Sequence, residues 1–480
     1  MRYALIVVLA LLYWATRLPA LDALPLHNDE GLHLTRAVEV WNLHPFWQIS
    51  DGKIINHWLI AAFDPRNAPV FVGRIATLFA GMAGVCAGYA LARRASRRGS
   101  WLAAVLWIAC PYLFFYERMA LSDAEAGALV VIAVLAALRL ARRPTPANAI
   151  ITGAALAGAI LFKFTAAPFA FTVALIVIAL GNAPLRQRMA SLALVAGVVV
   201  LAFSVPLAYL ALRGSDFFSI ALGWISSGGG DIAVSENLQR LAAQLTDFGP
   251  PVWSLALIAG LIALPLTAGR RGVVLLLGLL VPLGAMVVLG TEVLPRHYVA
   301  ALPLAVSLAG AGLEAILRRL SSPAQQLVPA GAAVALLLAF APFMLQARRD
   351  PAQLPLPTAV RTQYITDHSS GYGLREAVQD FPNALPSNAV PVIGSMFPDS
   401  CRRANFYATE TSMLCADAPG IDAIETALET HGSVYVLVDH AGLIGVDVTT
   451  LNVRASQIAA YPRPGETGET ASVVLWRLER

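Results

Sequence analysis

The stretch LPLHNDEGLHLTRAVEVW (residues 24–41) sets two adjacent carboxylates, Asp29 and Glu30, among His27, His33 and Arg36. A carboxylate in such company can draw a proton from an attacking hydroxyl, with imidazole and guanidinium orienting or balancing it. Imidazoles and carboxylates are also metal ligands, and four of the eight histidines (His27, His33, His44, His57) fall in this region. Their spacing matches no zinc or calcium signature, so no metal ligand is assigned and a divalent ion stays an alternative. A second cluster, YERMALSDAEAG (116–127), carries Glu117, Arg118, Asp123 and Glu125. Ser122 and Glu125 have the spacing of a helix capping box, and Asp123 suits the first turn of that helix. Of the 34 basic residues only two are lysines, Lys53 and Lys163. With Arg118 and with Arg296 of PRHYVAALP they make a set suited to phosphate, lysine as a compact charge and arginine as a planar fork.

Membrane spans must position these groups. Of 480 residues 57% are hydrophobic and 13% charged, with a mean hydropathy of +0.65. A soluble domain carries about 25% charged residues, so the composition is that of an integral membrane protein. Apolar runs of spanning length fall near 4–21, 68–92, 99–116, 123–141, 147–162, 166–181, 190–212, 251–268, 272–290, 298–316 and 325–346. Arginines gather between alternate runs: Arg93, Arg94, Arg97 and Arg98; Arg139, Arg142 and Arg143; Arg186 and Arg188; Arg270 and Arg271; Arg318 and Arg319. All lie on one side if the eleven spans are real, and the positive-inside rule makes that side the cytoplasm. This implies a multi-pass protein of a bacterial-type plasma membrane, amino terminus inside, carboxyl terminus outside. The first segment also has the polarity of a signal peptide, and cleavage there leaves the following loop outside. The net charge of +4 is small, and nothing points to nucleic acid.

The outer parts are then a first loop (22–67), turns near 117–123, 163–166 and 291–297, a loop at 213–250, and a domain from 347 to 480. The expected architecture is a polytopic all-α membrane part, 1–346, and a small extracytoplasmic α/β domain, 347–480. In the latter AVPVIGSM, SVYVLVDH and ASVVLWRL read as strands, 373–381 and 420–430 as helices. Cys401 and Cys415 lie there and could close a disulfide if that side is oxidising, which the sequence leaves open; Cys86 and Cys110 fall inside apolar runs. Asn28 is a good N-cap for a helix whose one face holds Asp29, His33 and Arg36, the opposite face Leu34, Val38 and Trp41. ISSGGGD (225–231) is a glycine-rich turn outside any strand–helix phosphate context, with a lid as its functional reading. VSENLQRLAAQL reads as an amphipathic surface helix.

These motifs, in this order, resemble the GT-C superfamily of membrane glycosyltransferases. The likeness is to its protein O-mannosyltransferase and lipid A aminoarabinose transferase branches. The acidic pair is Asp29-Glu30; Lys53 and Trp58 stand for a lysine-to-tryptophan segment; Arg74 enters the second span; ERMALSDA supplies Arg118 and Asp123. GAILFKFTAAPF supplies Lys163, and RHYVAALPLAV supplies Arg296 and Tyr298, with His297 intervening. SSGYGLREA resembles a segment opening the outer domain of some relatives. KII follows Lys53 where relatives often carry prolines. The resemblance implies transfer of a sugar from a polyprenyl-phosphate carrier to a hydroxyl of a protein, lipid or glycan, outside the membrane and with inversion. It implies Asp29 as general base, Glu30 and Asp123 positioning acceptor or base, and Lys53, Arg118, Arg296, Lys163 and Tyr298 on the donor phosphate. His33, Arg36, His57 and Arg74 would line the cavity.

Two other classes fit a polytopic chain. A transporter or lipid flippase would place charge at the bilayer midplane and show an internal repeat, and neither is evident. A non-catalytic assembly or sensor protein would not need dense charge at the membrane side of its loops.

Overall fold

Long apolar runs leave the backbone one choice in hydrocarbon: every N–H and C=O must be satisfied within the segment, so the run becomes helix, the longest of 28 residues. The computed structural model describes residues 2–49, 52–96, 101–214, 234–290, 295–319, 324–386, 389–395, 399–408, 413–417, 422–439 and 453–480. It divides into two units. The first is Met1–Leu21, Arg36–Asn67 and Phe71–Pro357; the second is Asp22–Thr35, Ala68–Val70 and Thr358–Arg480.

The helices up to the end of the first unit are α1 (Arg2–Arg17), α2 (Asn28–Trp41), α3 (Asn56–Ala61), α4 (Pro69–Ala95), α5 (Trp101–Ile108), α6 (Pro111–Glu117), α7 (Asp123–Arg142), α8 (Pro146–Phe162), α9 (Phe169–Leu180), α10 (Leu185–Leu212), α11 (Val234–Thr246), α12 (Pro251–Ala268), α13 (Arg270–Leu289), α14 (Leu302–Leu317) and α15 (Ala324–Arg349). Among the described residues six helices are long and apolar enough to cross a membrane: α4, α7, α10, α12, α13 and α15. Four shorter apolar helices cover Ala4–Arg17, Pro146–Phe162, Phe164–Leu180 and Leu302–Leu317.

The span expected over 99–116 is two helices instead of one. Pro111 pushes Cys110 into an extended conformation (φ −78°, ψ 113°) and α6 restarts there, the Cys110 sulfur accepting from the Leu113 N–H at 3.3 Å. The break frees carbonyls in the interior, and Arg17 takes them. Its guanidinium donates to Ile108 O (2.6 Å) and Trp107 O (3.2 Å) and pairs with Glu117 at 2.9 Å. Glu117 also accepts from the Trp107 indole at 2.6 Å, and Thr77 donates to the Glu117 carbonyl at 3.0 Å. Arg17 and Glu117 are both buried.

The arginine-rich helix ends meet. Arg271 donates to Arg94 O (2.8 Å), Arg270 to Ala179 O (2.8 Å) and Arg319 to Leu266 O (3.1 Å). Arg94 lies close enough to Arg139 and Arg142 to feel their charge. Because α7 has 20 residues, its arginine end stands about 30 Å from Asp123 at its start. Arg97, Arg98 and the 225–231 turn lie outside the described residues.

The second unit carries α16 (Thr358–Arg361), α17 (Leu374–Ala384), α18 (Asp399–Tyr407), α19 (Asp422–His431) and strands β1 (Val392–Ser395), β2 (Leu414–Asp417), β3 (Ser433–Asp439), β4 (Arg454–Ala460) and β5 (Val473–Glu479). The sheet order is β2-β1-β3-β5-β4, with β1 parallel to β2 and β3, and β5 antiparallel to β3 and β4. Alternation along β3 decides the packing: Val434, Val436 and Val438 meet Ile424 and Leu428 of α19, while Leu437 meets Leu374 and Phe381 of α17 and Cys401 of α18. The three strands expected from sequence are β1, β3 and β5; β2 and β4 were not foreseen. Cys401 and Cys415 form a disulfide that joins α18 to β2, with Cα atoms 5.8 Å apart. The amino-proximal segment is fastened into this unit by Arg375 donating to Ala23 O (2.8 Å) and by Gly31, where a Cβ would lie 2.7 Å from Arg403 Cγ.

Candidate active site

In the first unit charge concentrates around the start of α7. Ser122, its N-cap, sits in the right-handed helical region (φ −71°, ψ −4°) and makes no side-chain capping bond. The expected capping box is therefore not formed: from that conformation the hydroxyl does not meet the Glu125 amide. Glu125 is left buried, and its Oε2 has no hydrogen-bond partner among the described residues. Asp123 is buried beside it, in ion-pair contact with Lys163.

Lys163 ends α8 in extended conformation (φ −160°, ψ 124°) and is itself buried. Lys53 reaches the same place through the backbone. Ile54 and Ile55 donate to Leu161 O (2.8 and 3.2 Å), and Phe164 donates to Gly52 O (3.2 Å). Gly52 permits this clasp at φ +71°, where a Cβ would stand 3.3 Å from the Phe164 ring. Arg296 lies in the 3₁₀ turn Pro295–Ala300, which packs on α7 at Gly127; a Cβ there would be 2.8 Å from Val299 O. Asp123, Arg296 and Lys53 are all close enough to act on the Lys163 charge. Burial draws the Lys163 ammonium down to about 8, Arg296 and Lys53 push the same way, and Asp123 opposes them. Three cations and a carboxylate thus converge, both lysines of the chain among them.

Other expected residues serve the frame around this cluster. Arg118 donates to Pro19 O at 3.0 Å and to Ala20 O, and lies 4.8 Å over the Phe114 ring. Tyr298 donates to Asn237 O (2.8 Å); burial raises its hydroxyl to about 12, so it is protonated at neutral pH. Arg36 donates to Gln48 O (2.6 Å) and Arg74 to Leu21 O (2.8 Å). His57 Nε2 and the Trp58 indole both donate to Pro45 O at 2.8 Å. The two-faced α2 helix does not turn its polar side to water: Arg36 and His33 are buried, whereas Trp41 is half exposed.

In the second unit α2 begins at Asn28, the residue expected to cap it. His27, not Asn28, is the cap: its Nδ1 accepts from the Asp29 N–H (3.1 Å), and Glu30 reaches back to the His27 N–H (3.0 Å). Glu30 is buried and holds the turn that carries Asp29, which is half-buried. Among the described residues no three His, Cys, Asp or Glu side chains group to hold a metal ion.

Residues 51–209 match the family model for dolichyl-phosphate-mannose-protein mannosyltransferase. The crystal structure of ArnT from Cupriavidus metallidurans bound to undecaprenyl phosphate superposes with a TM-score of 0.66 at 14% identity, covering 99% of this chain and 97% of that one. Its apo form gives 0.62 at the same identity and coverage. The chain shares the fold of ArnT. No curated protein sequence matches the chain. The stretch matched by the family model holds Lys53, Arg74, Arg118, Asp123 and Lys163, while Asp29 and Arg296 fall outside it. The fold makes the chain a multi-pass membrane protein with a small α/β unit, and the buried polar cluster at the start of α7 is the feature that packing alone does not explain.

Sequence reasoning missed two things. Glu125 was accounted for by a capping box that does not form. The Arg17–Glu117 pair was not foreseen, Glu117 being read only with the 116–127 cluster; the signal was there in Pro111, since a proline inside an apolar run frees carbonyls that need donors.

Proposed function

We propose that the protein is a membrane glycosyltransferase that moves a sugar from a polyprenyl-phosphate carrier to an acceptor hydroxyl on the extracytoplasmic side. The observation carrying this reading is that Lys53 and Arg296 gather around the buried Lys163–Asp123 pair. Lysine and arginine side chains gathered at one place can hold a phosphate by charge-assisted hydrogen bonds. That ArnT was crystallised with undecaprenyl phosphate agrees with such a ligand.

In the proposed reaction the acceptor oxygen attacks the anomeric carbon, and the bond from that carbon to the phosphate oxygen breaks. The acceptor proton passes to the Asp29 carboxylate, and the departing polyprenyl phosphate keeps the bonding pair as charge on its oxygens. Attack opposite the leaving group inverts the centre. The three cations stabilise the phosphate as it leaves. Asp123 keeps Lys163 charged, and Glu30 fixes the turn of Asp29. Tyr298 is left out of the phosphate set because its hydroxyl is engaged by Asn237. The disulfide in the second unit fits an oxidising compartment, which supports an outward position for that unit.

Transfer of labelled sugar from purified carrier lipid to an envelope acceptor fraction tests the reading. Asp29→Asn should cut turnover by about 10²–10⁴-fold while expression and carrier binding persist. Near-normal turnover in that variant removes Asp29 as the base. Movement of label across vesicles without glycosyl transfer would favour a flippase instead.

A further inference from the structure

The pole opposite the proposed catalytic cluster holds a cleft of about 860 Å³. Arg270, Arg271, Arg318 and Arg319 line it, together with Ser96 and Thr267. Its size falls in the range of about 300–1,000 Å³ typical of small-molecule sites. Ends of α4, α9, α12, α13 and α14 build its wall, so it is a recess among helix termini and not one charged helix face.

Topology explains arginines at these helix ends, but not their convergence on a recess. Arg270 donates to Ala179 O, Arg271 to Arg94 O and Arg319 to Leu266 O, which draws the guanidiniums toward the helix ends. Arg318 pairs with Glu314 at 2.8 Å, and Glu314 also accepts from the Leu102 N–H at 3.0 Å. No acid appears among the described lining residues, and one neighbouring carboxylate stands against four guanidiniums. Arg94, with Arg139 and Arg142 beside it, adds to the same field. Planar forks fixed around a recess match the oxygens of a phosphate, and basic pockets between membrane helices are where anionic headgroups settle.

We propose that this cleft binds a phosphate group, supplied by the headgroup of an anionic phospholipid in the leaflet on the arginine-rich side. The site lies about 30 Å along α7 from Asp123 and does not depend on the reaction proposed above.

The test uses the full chain in detergent with equimolar phosphatidylglycerol and phosphatidylcholine, reading retained lipid by native mass spectrometry. Wild type should keep phosphatidylglycerol in preference. R270Q/R319Q, two exposed arginines whose loss should leave folding intact, should lower that preference about tenfold. R213Q/R349Q removes the same charge elsewhere and should leave it unchanged. In a second arm, inorganic phosphate displacing the retained lipid confirms the phosphate as the recognised group. Phosphate that binds wild type but not R270Q/R319Q, with no preference between the lipids, keeps the site and overturns the lipid source. No preference in wild type and no phosphate binding, or equal loss in both double variants, overturns the proposal.

Discussion

Two buried ion pairs in the first unit, Arg17–Glu117 and Lys163–Asp123, look alike as pairs and differ in their surroundings. The Arg17 guanidinium has carbonyl partners on the broken helix, and Glu117 has the Trp107 indole besides. Every group there closes on another group of the protein, which is how a structural network behaves. Lys163 instead faces two further cations, Lys53 and Arg296, with Asp123 as the acid in contact with it. Lys53 and Arg296 both repel the Lys163 ammonium, and an anion arriving from outside would relieve that repulsion.

The comparison can be broken from the first pair. Arg17→Leu strands Glu117 and two interior carbonyls, and should lower stability by about 3–5 kcal/mol. Thermal unfolding in detergent measures it, and an unchanged transition would make Arg17 no more than a surface-like charge. From the second pair, Lys163→Met should reduce turnover about 10²–10³-fold, the usual loss of one charge-stabilising donor. Adding Asp123→Asn to it should relieve the unpaired acid and not restore turnover; recovery of turnover would make the lysine structural and remove it from the phosphate site.

Proton linkage sharpens the contrast. The Lys163 ammonium is drawn down to about 8 from an ordinary value of 10.5, mainly by burial. Its charged form is therefore disfavoured in the fold below about 8, and that penalty lifts between about 8 and 10.5 as the fold loses the proton before the unfolded chain does. Donor affinity should run the other way, falling as pH rises through about 8. Lys163→Arg should abolish that fall. Asp123→Asn, which removes the acid that sustains the ammonium, should move it to lower pH, and a profile that ignores both variants would remove Lys163 from the phosphate site. The smallest effect is expected from Tyr298→Phe, which loses the bond to Asn237 and about 0.5–1.5 kcal/mol of stability. Turnover should stay as in wild type; a loss of turnover would return Tyr298 to the donor site.

The membrane part was legible because hydrocarbon permits few answers: apolar length and arginine placement together order the spans. The split at Pro111 escaped a reading by hydropathy, since hydropathy does not register a lost N–H. Among site residues, the two lysines stood out through scarcity, and their meeting depends on the Gly52–Phe164 clasp, which no spacing reveals. Arg118 and Tyr298 were legible by charge and hydroxyl, but their bonds to the main-chain carbonyls of Pro19 and Asn237 depend on packing that spacing does not show. In the second unit, β1, β3 and β5 announced themselves by apolar residues on both faces. The strands that escaped are the two at the margins: LCAD is four residues long, and RASQIAA is polar and mostly exposed.

Those margins differ in how they are guarded. Along β4 the polar side chains and a register shift between Gln457 and Ala459 discourage a foreign strand from adding on. At β2 there is only brevity, with Leu414 exposed, and the bridge from Cys415 to Cys401 pins that rim to its neighbouring helix. A reducing medium would leave the fold's interior alone and open this one border, so purified samples kept with thiols should self-associate through β2 before they unfold.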